Sequence, residues 1–504
     1  MLIKISRKIA YYRFLVLPLI VLLLSTAGCK SNFLGTTADS PAQIQPQSPP
    51  VPIVVDGVRT TYADVVDKTS PAVVQIEAEV KSKEPAQTNP LLDDPQFKEF
   101  FRNLPQQPQQ RPRIQRGVGS GVIVSPDGTI LTNYHVVGNA EKITVLMNDN
   151  RTFNAKIVGT DQPSDLAVLK IEAENLPFLN LGNSDNVRIG DIVLAIGNPL
   201  GIGQTVTAGI ISAKGRRTGL SDGSFEDFLQ TDAPINQGNS GGALVNLSGE
   251  LIGINSQILS GGGGNIGIGF SIPSNMAKSV MEQLVQTGRV RRGMLGVNIK
   301  NITADMARAM ELKDTKGVLV DNVRAGSAAE KAGIKRGDII TAINDERVED
   351  SNTLRNKVAG TLPGNSIKIG VLRDGEQQEF TAQLDEFNAE SDQPASPTEE
   401  KKDSGNSSEN GKLGLTLQSA TPEILKQVGL PDDTKGLVVM DVDPNGAAAQ
   451  IGIARGDVII EINRNLVETT EQVQSALEKS GDRPILLLIN RKGQTIYLTV
   501  TPGK

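Results

Sequence analysis

Ser240 lies between glycines in the stretch Gly238-Asn239-Ser240-Gly241-Gly242. A serine hydroxyl of ordinary acidity is a poor nucleophile, so a reactive serine needs a base within reach and donors for the oxyanion that forms. Glycines on either side meet the second need, because they reach positive φ and let the N–H groups of Gly238 and Ser240 turn toward one point. The pentapeptide alone reads as well as a glycine-rich turn between two strands. A base and its orienting acid decide between the two readings. The chain holds one histidine, His135, after the apolar run Thr129-Ile130-Leu131-Thr132, where a strand would end at a barrel rim. Asp165 stands at the mouth of the strand-like run Leu166 to Lys170.

The chain order His135, Asp165, Ser240 is that of chymotrypsin-type double barrels rather than of subtilisins or α/β-hydrolases. In such a set the serine attacks, the histidine takes and returns the proton, and the aspartate holds the imidazole in its tautomer. The segments Thr132-Asn-Tyr-His-Val136, Ser164-Asp-Leu-Ala-Val-Leu-Lys170 and Asp232-Ala-Pro-Ile-Asn-Gln-Gly-Asn-Ser-Gly-Gly242 resemble those of the HtrA serine proteases, the peptidase Do group, with the order and spacing of that family. The resemblance runs from about Thr69 to the C-terminus.

That resemblance implies catalytic roles for His135, Asp165 and Ser240, and an oxyanion hole at Gly238, Asn239 and Ser240. It places Ile235, Ile258 and Ile268 at the S1-lining positions, and Ser256, Gln257, Ile258, Leu259 and Ser260 as a strand beside the substrate backbone. Pro234 stands where trypsin-like enzymes carry an acid, which points to small aliphatic P1 residues. The activity implied is ATP-independent endoproteolysis of unfolded or damaged envelope proteins, with chaperone activity alongside, no cofactor, and assembly as a homotrimer or its multiples. The alternative is a binding protein, a peptide-sensing chaperone or scaffold with little proteolysis.

The elements that must position these residues follow from pattern. With 51 glycines, 27 prolines and no tryptophan among 504 residues, the chain favours many short strands and turns. A net charge of −6 argues against a nucleic-acid footprint, the single cysteine excludes an internal disulfide, and no Cys/His cluster supports a metal site. Val73 to Val80 alternates with period two and opens the first sheet. Runs at 117–124, 143–147, 153–158, 166–171, 192–196, 205–211, 251–258 and 266–272 continue it. The expected fold is mainly β: a chymotrypsin-like double β-barrel over 61–288 with a long loop at 81–116, closed by a helix from Asn275 to Thr287 with Ser274 as its N-cap. Phe97, Phe100 and Phe101 stripe that loop, whose place resembles the family's long regulatory loop.

An internal repeat follows. Gly326-Ser-Ala-Ala-Glu-Lys-Ala-Gly-Ile-Lys-Arg-Gly-Asp-Ile-Ile340 recurs as Gly446-Ala-Ala-Ala-Gln-Ile-Gly-Ile-Ala-Arg-Gly-Asp-Val-Ile-Ile460. Each copy resembles a PDZ domain, 289–385 and 411–504, joined by an acidic linker at 386–410. Leu295, Gly296 and Val297, and Leu413, Gly414 and Leu415, fall where the carboxylate-binding loop lies, so exposed protein C-termini are the implied partners. Each copy also reads as a packing module that binds nothing.

At the N-terminus, basic residues precede the apolar run Phe14 to Leu24, too short for the ~20 residues a bilayer span needs, so residues 1–28 read as a secretory signal. Ala27-Gly28-Cys29 resembles a bacterial lipoprotein box, with Thr26 in place of its usual leucine, and residues 29–60 form a tether. The location implied is the periplasm of a Gram-negative bacterium, with a lipid anchor on Cys29 as the one link to membrane. Cys29→Ala should move the protein from the membrane to the soluble fraction. Unchanged fractionation would refute lipidation at Cys29.

Overall fold

Short runs of β-branched residues broken by Gly, Asn and Asp cannot bury a face alone and must pair. In the computed structural model, which describes residues 54–55, 58–81, 114–198, 203–218, 224–236, 238–258, 265–388 and 413–501, they close two antiparallel six-stranded barrels. The first runs in hydrogen-bonded order through Val73–Lys81, Ile114–Ile123, Thr129–Thr132, Leu166–Lys170, Thr152–Asp161 and Lys142–Leu146. The second runs through Thr205–Arg216, Phe228–Thr231, Gly269–Pro273, Leu251–Ile258, Ala243–Asn246 and Ile192–Gly197. Cys29, the stripe Phe97, Phe100 and Phe101, and the substrate-strand residues Leu259 and Ser260 lie outside the described residues.

The strand Ile192–Gly197 shows how the barrels share a core. Val193 and Ala195 point into a cluster with Ile211, Leu229 and Ile235. Leu194 and Ile196 point the other way, into a cluster continuous with Ile76, Ile130 and Leu169 of the first barrel. Both faces are buried, which is why the run is apolar at successive positions. The helix Ser274–Thr287 seals this core with Ala277, Val280 and Leu284.

Three expectations need correction. Ser274 does not cap that helix: it is the first helical residue, and its hydroxyl donates to the Gly182 carbonyl at 2.7 Å. The strand expected from Ile266 starts at Gly269, because the Asn265 side chain accepts the Gly267 N–H at 2.6 Å and turns the chain there. Glu386, expected as the first linker residue, pairs as a strand with Gly293.

The two repeats fold alike. One sheet is ordered Val297–Asn301, Val318–Val323, Ile339–Ile343, Ser366–Arg373, Glu376–Gln383; the other is Leu415–Ser419, Leu437–Val442, Val458–Ile462, Ile485–Arg491, Gln494–Val500. The repeated Gly-Asp pair is structural. Asp338 is 1 % exposed and takes two bonds from Arg373, and Asp457 is 2 % exposed and takes two from Arg491, so each acid is paired rather than stranded.

The repeats also pack on each other. Ile302, Met306, Leu319 and Ile339 of the first share a buried cluster with Leu486, Leu488 and Tyr497 of the second. The Tyr497 N–H donates to Asp321, Lys300 reaches the Tyr497 carbonyl at 3.0 Å, and Arg336 pairs with Glu461 at 3.2 Å. A chain cut within 389–412 should therefore stay one particle in gel filtration, held by this cluster. Leu488→Asp should let the second repeat elute separately after the cut, and co-elution of that variant would count against the interface.

Candidate active site

The strand Thr129–Thr132 ends at Asn133, and a single helical turn, Tyr134–Val137, carries His135 out over the cleft. The strand Thr152–Asp161 leads into the 3-10 turn Gln162–Ser164, after which Asp165 sits in the left-handed region at φ +55°. A non-glycine residue holds that conformation only where its surroundings impose it. Here they do. The Asp165 carbonyl accepts the Tyr134 N–H at 3.1 Å and the Asn133 side-chain amide at 3.0 Å, and its Oδ1 accepts the His135 N–H at 3.0 Å.

The His135 ring completes the cluster. Its Nδ1–H donates to Asp165 Oδ2 at 2.8 Å, since an ionised carboxylate can only accept. The same oxygen accepts the hydroxyl of Ser256, a residue 2 % exposed, at 2.9 Å. This arrangement leaves Nε2 of the neutral ring as the acceptor facing outward. Sequence reading gave Ser256 only a backbone role; its side chain sets Asp165 as well.

Ser240 comes from the other barrel, on a loop pinned by Ser120. The Ser120 N–H donates to the Ser240 carbonyl at 2.8 Å, and the Ser120 hydroxyl donates to the Gly238 carbonyl at 2.6 Å. Gly241 shows why the loop needs glycine: φ is +83°, and a Cβ there would stand 2.1 Å from the Ser120 carbonyl oxygen. Gly238 also has positive φ, +97°. Neither the Gly238 N–H nor the Ser240 N–H has an acceptor among the described residues. The Asn239 N–H, by contrast, donates to the Asn236 carbonyl at 3.0 Å, so Asn239, expected in the oxyanion segment, brings no free backbone donor. The Ser240 hydroxyl donates to the Ser256 carbonyl at 2.9 Å.

All three residues line one open cleft of about 640 Å³, with Ile235, Ser256, Gln257 and Ile258 in its wall. Ile268 is not in that wall; it packs against the barrel core. Phe228, which sequence reading missed, is in the wall and leans on Phe270 at 5.6 Å. The edge of Leu251–Ile258 that Ala243–Asn246 pairs with ends at Ile254, and Asn255 bonds Gly242. From Ser256 onward that edge is open to the cleft.

In the first repeat, Gly296 has φ +79°. The Leu295 and Gly296 carbonyls accept the N–H groups of Ala329 and Arg324, both at 2.9 Å. Carbonyls held inward turn the N–H groups of Gly296 and Val297 the opposite way, over a cavity of about 250 Å³ that Leu354 and Val358 also line. The second repeat repeats the geometry: Gly414 has φ +73°, and the Leu413 and Gly414 carbonyls accept from Ala448 and Asp443. Leu415 follows and is buried. An unforeseen residue borders the first cavity. Phe225, from the peptidase part of the chain and 7 % exposed, stands there against Phe387, with Arg292 and Arg355 each 4.5 Å from its ring centre. On the same segment, burial, reinforced by the nearby Asp185, pushes the Asp227 carboxyl up to about 6. Nothing in the local sequence marked either residue, because both act through contacts distant in the chain.

Residues 119–254 match the trypsin-like peptidase domain family, and 293–384 and 438–491 each match the PDZ domain. The "Probable periplasmic serine endoprotease DegP-like" of Chlamydia trachomatis is 41 % identical, over 94 % of this chain and 97 % of that one. The "Probable periplasmic serine protease do/HhoA-like" of Haemophilus influenzae is 41 % identical, over 88 % of this chain and 92 % of that one. Among solved structures, that titled "HtrA-type protease AlgW with decapeptide" superposes with a TM-score of 0.52 at 42 % identity, covering 65 % of this chain and 99 % of its own. With nearly full-length relatives at this identity and a peptidase fold followed by two PDZ domains, the chain belongs to the HtrA family of serine endoproteases.

Proposed function

We propose that His135, Asp165 and Ser240 are the catalytic set of an ATP-independent endopeptidase that degrades unfolded or damaged proteins of the periplasm. The observation that carries the reading is the Asp165 carboxylate, held between His135 Nδ1 and the Ser256 hydroxyl and shared by both barrels at one cleft. Asp165 fixes the tautomer, so Nε2 is the base. The Ser240 hydroxyl bonds the Ser256 carbonyl, so rotation about its χ1 toward Nε2 is the step that readies it for attack. The N–H groups of Gly238 and Ser240 stabilise the oxyanion, an arrangement in which one donor is typically worth about 3–4 kcal/mol.

A substrate strand laid along Ser256 to Ile258 brings its P1 side chain against Ile235 and Ile258. Both of these walls are apolar, and the Glu226 carboxylate elsewhere in the cleft already accepts from Thr218 and Ser224, so Val, Ala or Ile is favoured over Lys or Arg. The carboxylate loops at Leu295, Gly296 and Val297 and at Leu413, Gly414 and Leu415 hold exposed C-termini, supported by their outward N–H groups. Periplasmic location is supported by the names of the relatives and by the signal-like N-terminus. Membership of the family supports a homotrimer or its multiples and chaperone activity beside proteolysis, and the Ala27-Gly28-Cys29 box supports a lipid anchor at Cys29 as the only membrane contact.

Casein cleavage by the pure full-length protein tests the reading. Ser240→Ala should abolish it, and a Ser240→Ala protein that still cleaves would overturn the assignment. Asp165→Asn should keep the fold and lose about four orders of magnitude in kcat, as a wrong imidazole tautomer does in this class of site. Cleavage sites mapped by mass spectrometry should fall after Val, Ala or Ile. Sites clustered after Lys or Arg would refute the specificity argument.

A further inference from the structure

Asp161 lies at the end of a strand four residues before Asp165 and is 6 % exposed. A buried carboxylate must be paired, and this one is paired across a domain junction. Arg292, 8 % exposed and immediately before the first PDZ strand Gly293–Met294, donates from Nη1 to Asp161 Oδ1 at 2.9 Å and from Nη2 to Oδ2 at 2.5 Å. Asp161 Oδ2 also accepts the Ser164 N–H at 3.1 Å and the Ser164 hydroxyl. The carboxylate is thus a hub inside the turn Gln162–Ser164 that presents Asp165 in its left-handed conformation.

The same turn is held from outside. The Phe225 N–H donates to the Pro163 carbonyl at 2.7 Å, and the Arg292 guanidinium lies over the Phe225 ring. Arg292 therefore touches both supports of one three-residue turn. A buried ion pair is often no better for stability than an apolar pair of similar volume. What this pair adds is direction, since a planar fork fixes both carboxylate oxygens and, through Ser164, the turn.

We infer that Arg292 and Asp161 are positioning residues for the peptidase reaction, bracing the turn so that the Asp165 carboxylate stays under His135. The inference rests on the reading of His135, Asp165 and Ser240 as the catalytic set. It makes the entry residue of the first PDZ domain part of what supports the acid of the site.

The test uses full-length protein and a short chromogenic peptide with a blocked C-terminus, which offers the PDZ loops no carboxylate. In the double variant Arg292→Met with Asp161→Leu, the ion pair is replaced by apolar volume, so the melting temperature should fall only by the cost of leaving the buried Ser164 N–H and hydroxyl without their acceptor. Its kcat should fall ~10–100-fold with KM within about twofold, as misplacement of a catalytic group predicts. The acid limb of its kcat/KM profile should move to lower pH, because a displaced Asp165 supports the imidazolium less. Arg292→Lys, which keeps the charge and loses the fork, should fall between wild type and the double variant. A folded double variant with wild-type kcat and acid limb would overturn the inference. If the double variant does not fold, Ser164→Ala decides: kcat should drop several-fold with the same displacement of the limb, and Ser164→Thr should restore both. Wild-type kcat and limb in Ser164→Ala would equally overturn it. Ser240→Ala runs alongside, and residual cleavage there would sink the catalytic assignment itself rather than this inference.

Discussion

Ser120 is the pin on which the site's geometry depends. It is fully buried, and its four polar contacts reach three parts of the fold. Its N–H and hydroxyl hold the carbonyls of Ser240 and Gly238, its hydroxyl accepts the Asn198 N–H at 2.8 Å, and its carbonyl accepts the Thr132 hydroxyl at 2.7 Å. Two barrels that merely packed through side chains could slide by fractions of an ångström. Hydrogen bonds with buried partners resist this, because an unmade one costs ~1–3 kcal/mol. The neighbouring glycines make the contact close. A Cβ at Gly119 would meet Val136, beside His135, at 2.7 Å, and one at Gly241 would strike Ser120 itself. One strand thus packs against both the turn that carries His135 and the loop that carries Ser240.

That constraint explains what could be read from the sequence and what could not. The double barrel was legible because Val73–Lys81 and its successors alternate or run apolar at strand length. The positions of His135, Asp165 and Ser240 were legible because local segments state them: a strand end, a strand mouth, a glycine loop. Ser120 was not, since Gly117-Val-Gly-Ser-Gly121 reads only as a glycine-rich strand, and its meaning lies in partners up to 120 residues away. Ser256 was seen as backbone and not as a partner of Asp165 for the same reason. The errors at Ser274, Ile266 and Glu386 are boundary errors. The Asn265 side chain and the Gly182 carbonyl competed for groups that local pattern alone assigned to caps and strands.

The repeat carried a different kind of information. Its strongest signature, Arg-Gly-Asp followed by Ile-Ile or Val-Ile, is a folding signature, because the buried Asp338 and Asp457 accept from Arg373 and Arg491 rather than from a ligand. The mutual packing of the two domains left no mark that pattern reading could use. Leu486, Leu488 and Tyr497 look like any strand alternation, and only the fold shows that the face opposite their own core is buried against Leu319 and Ile339. A larger cavity, about 770 Å³, opens beside this junction, yet its walls mix both charge signs and hold none of the expected site residues. Size alone therefore does not mark a site here.

The supports of the proposed catalytic cluster come from separate places, and this has a mechanical consequence. Ser240 is held by the first barrel through Ser120, and His135 by the backbone of Asp165. Asp165 depends in turn on a carboxylate, Asp161, whose countercharge Arg292 lies at the threshold of the first PDZ domain. The first two supports lie within the peptidase fold and have no partner that can leave without unfolding it. The third spans a junction where the contacts on Phe225 are a ring edge, two guanidinium faces and one backbone bond. Each such contact is worth on the order of 1 kcal/mol, against several for the loss of a barrel strand. Of the three supports, the one under the acid is the one that crosses the junction, and the buried Arg292–Asp161 pair mechanically connects it to the position of the PDZ domain.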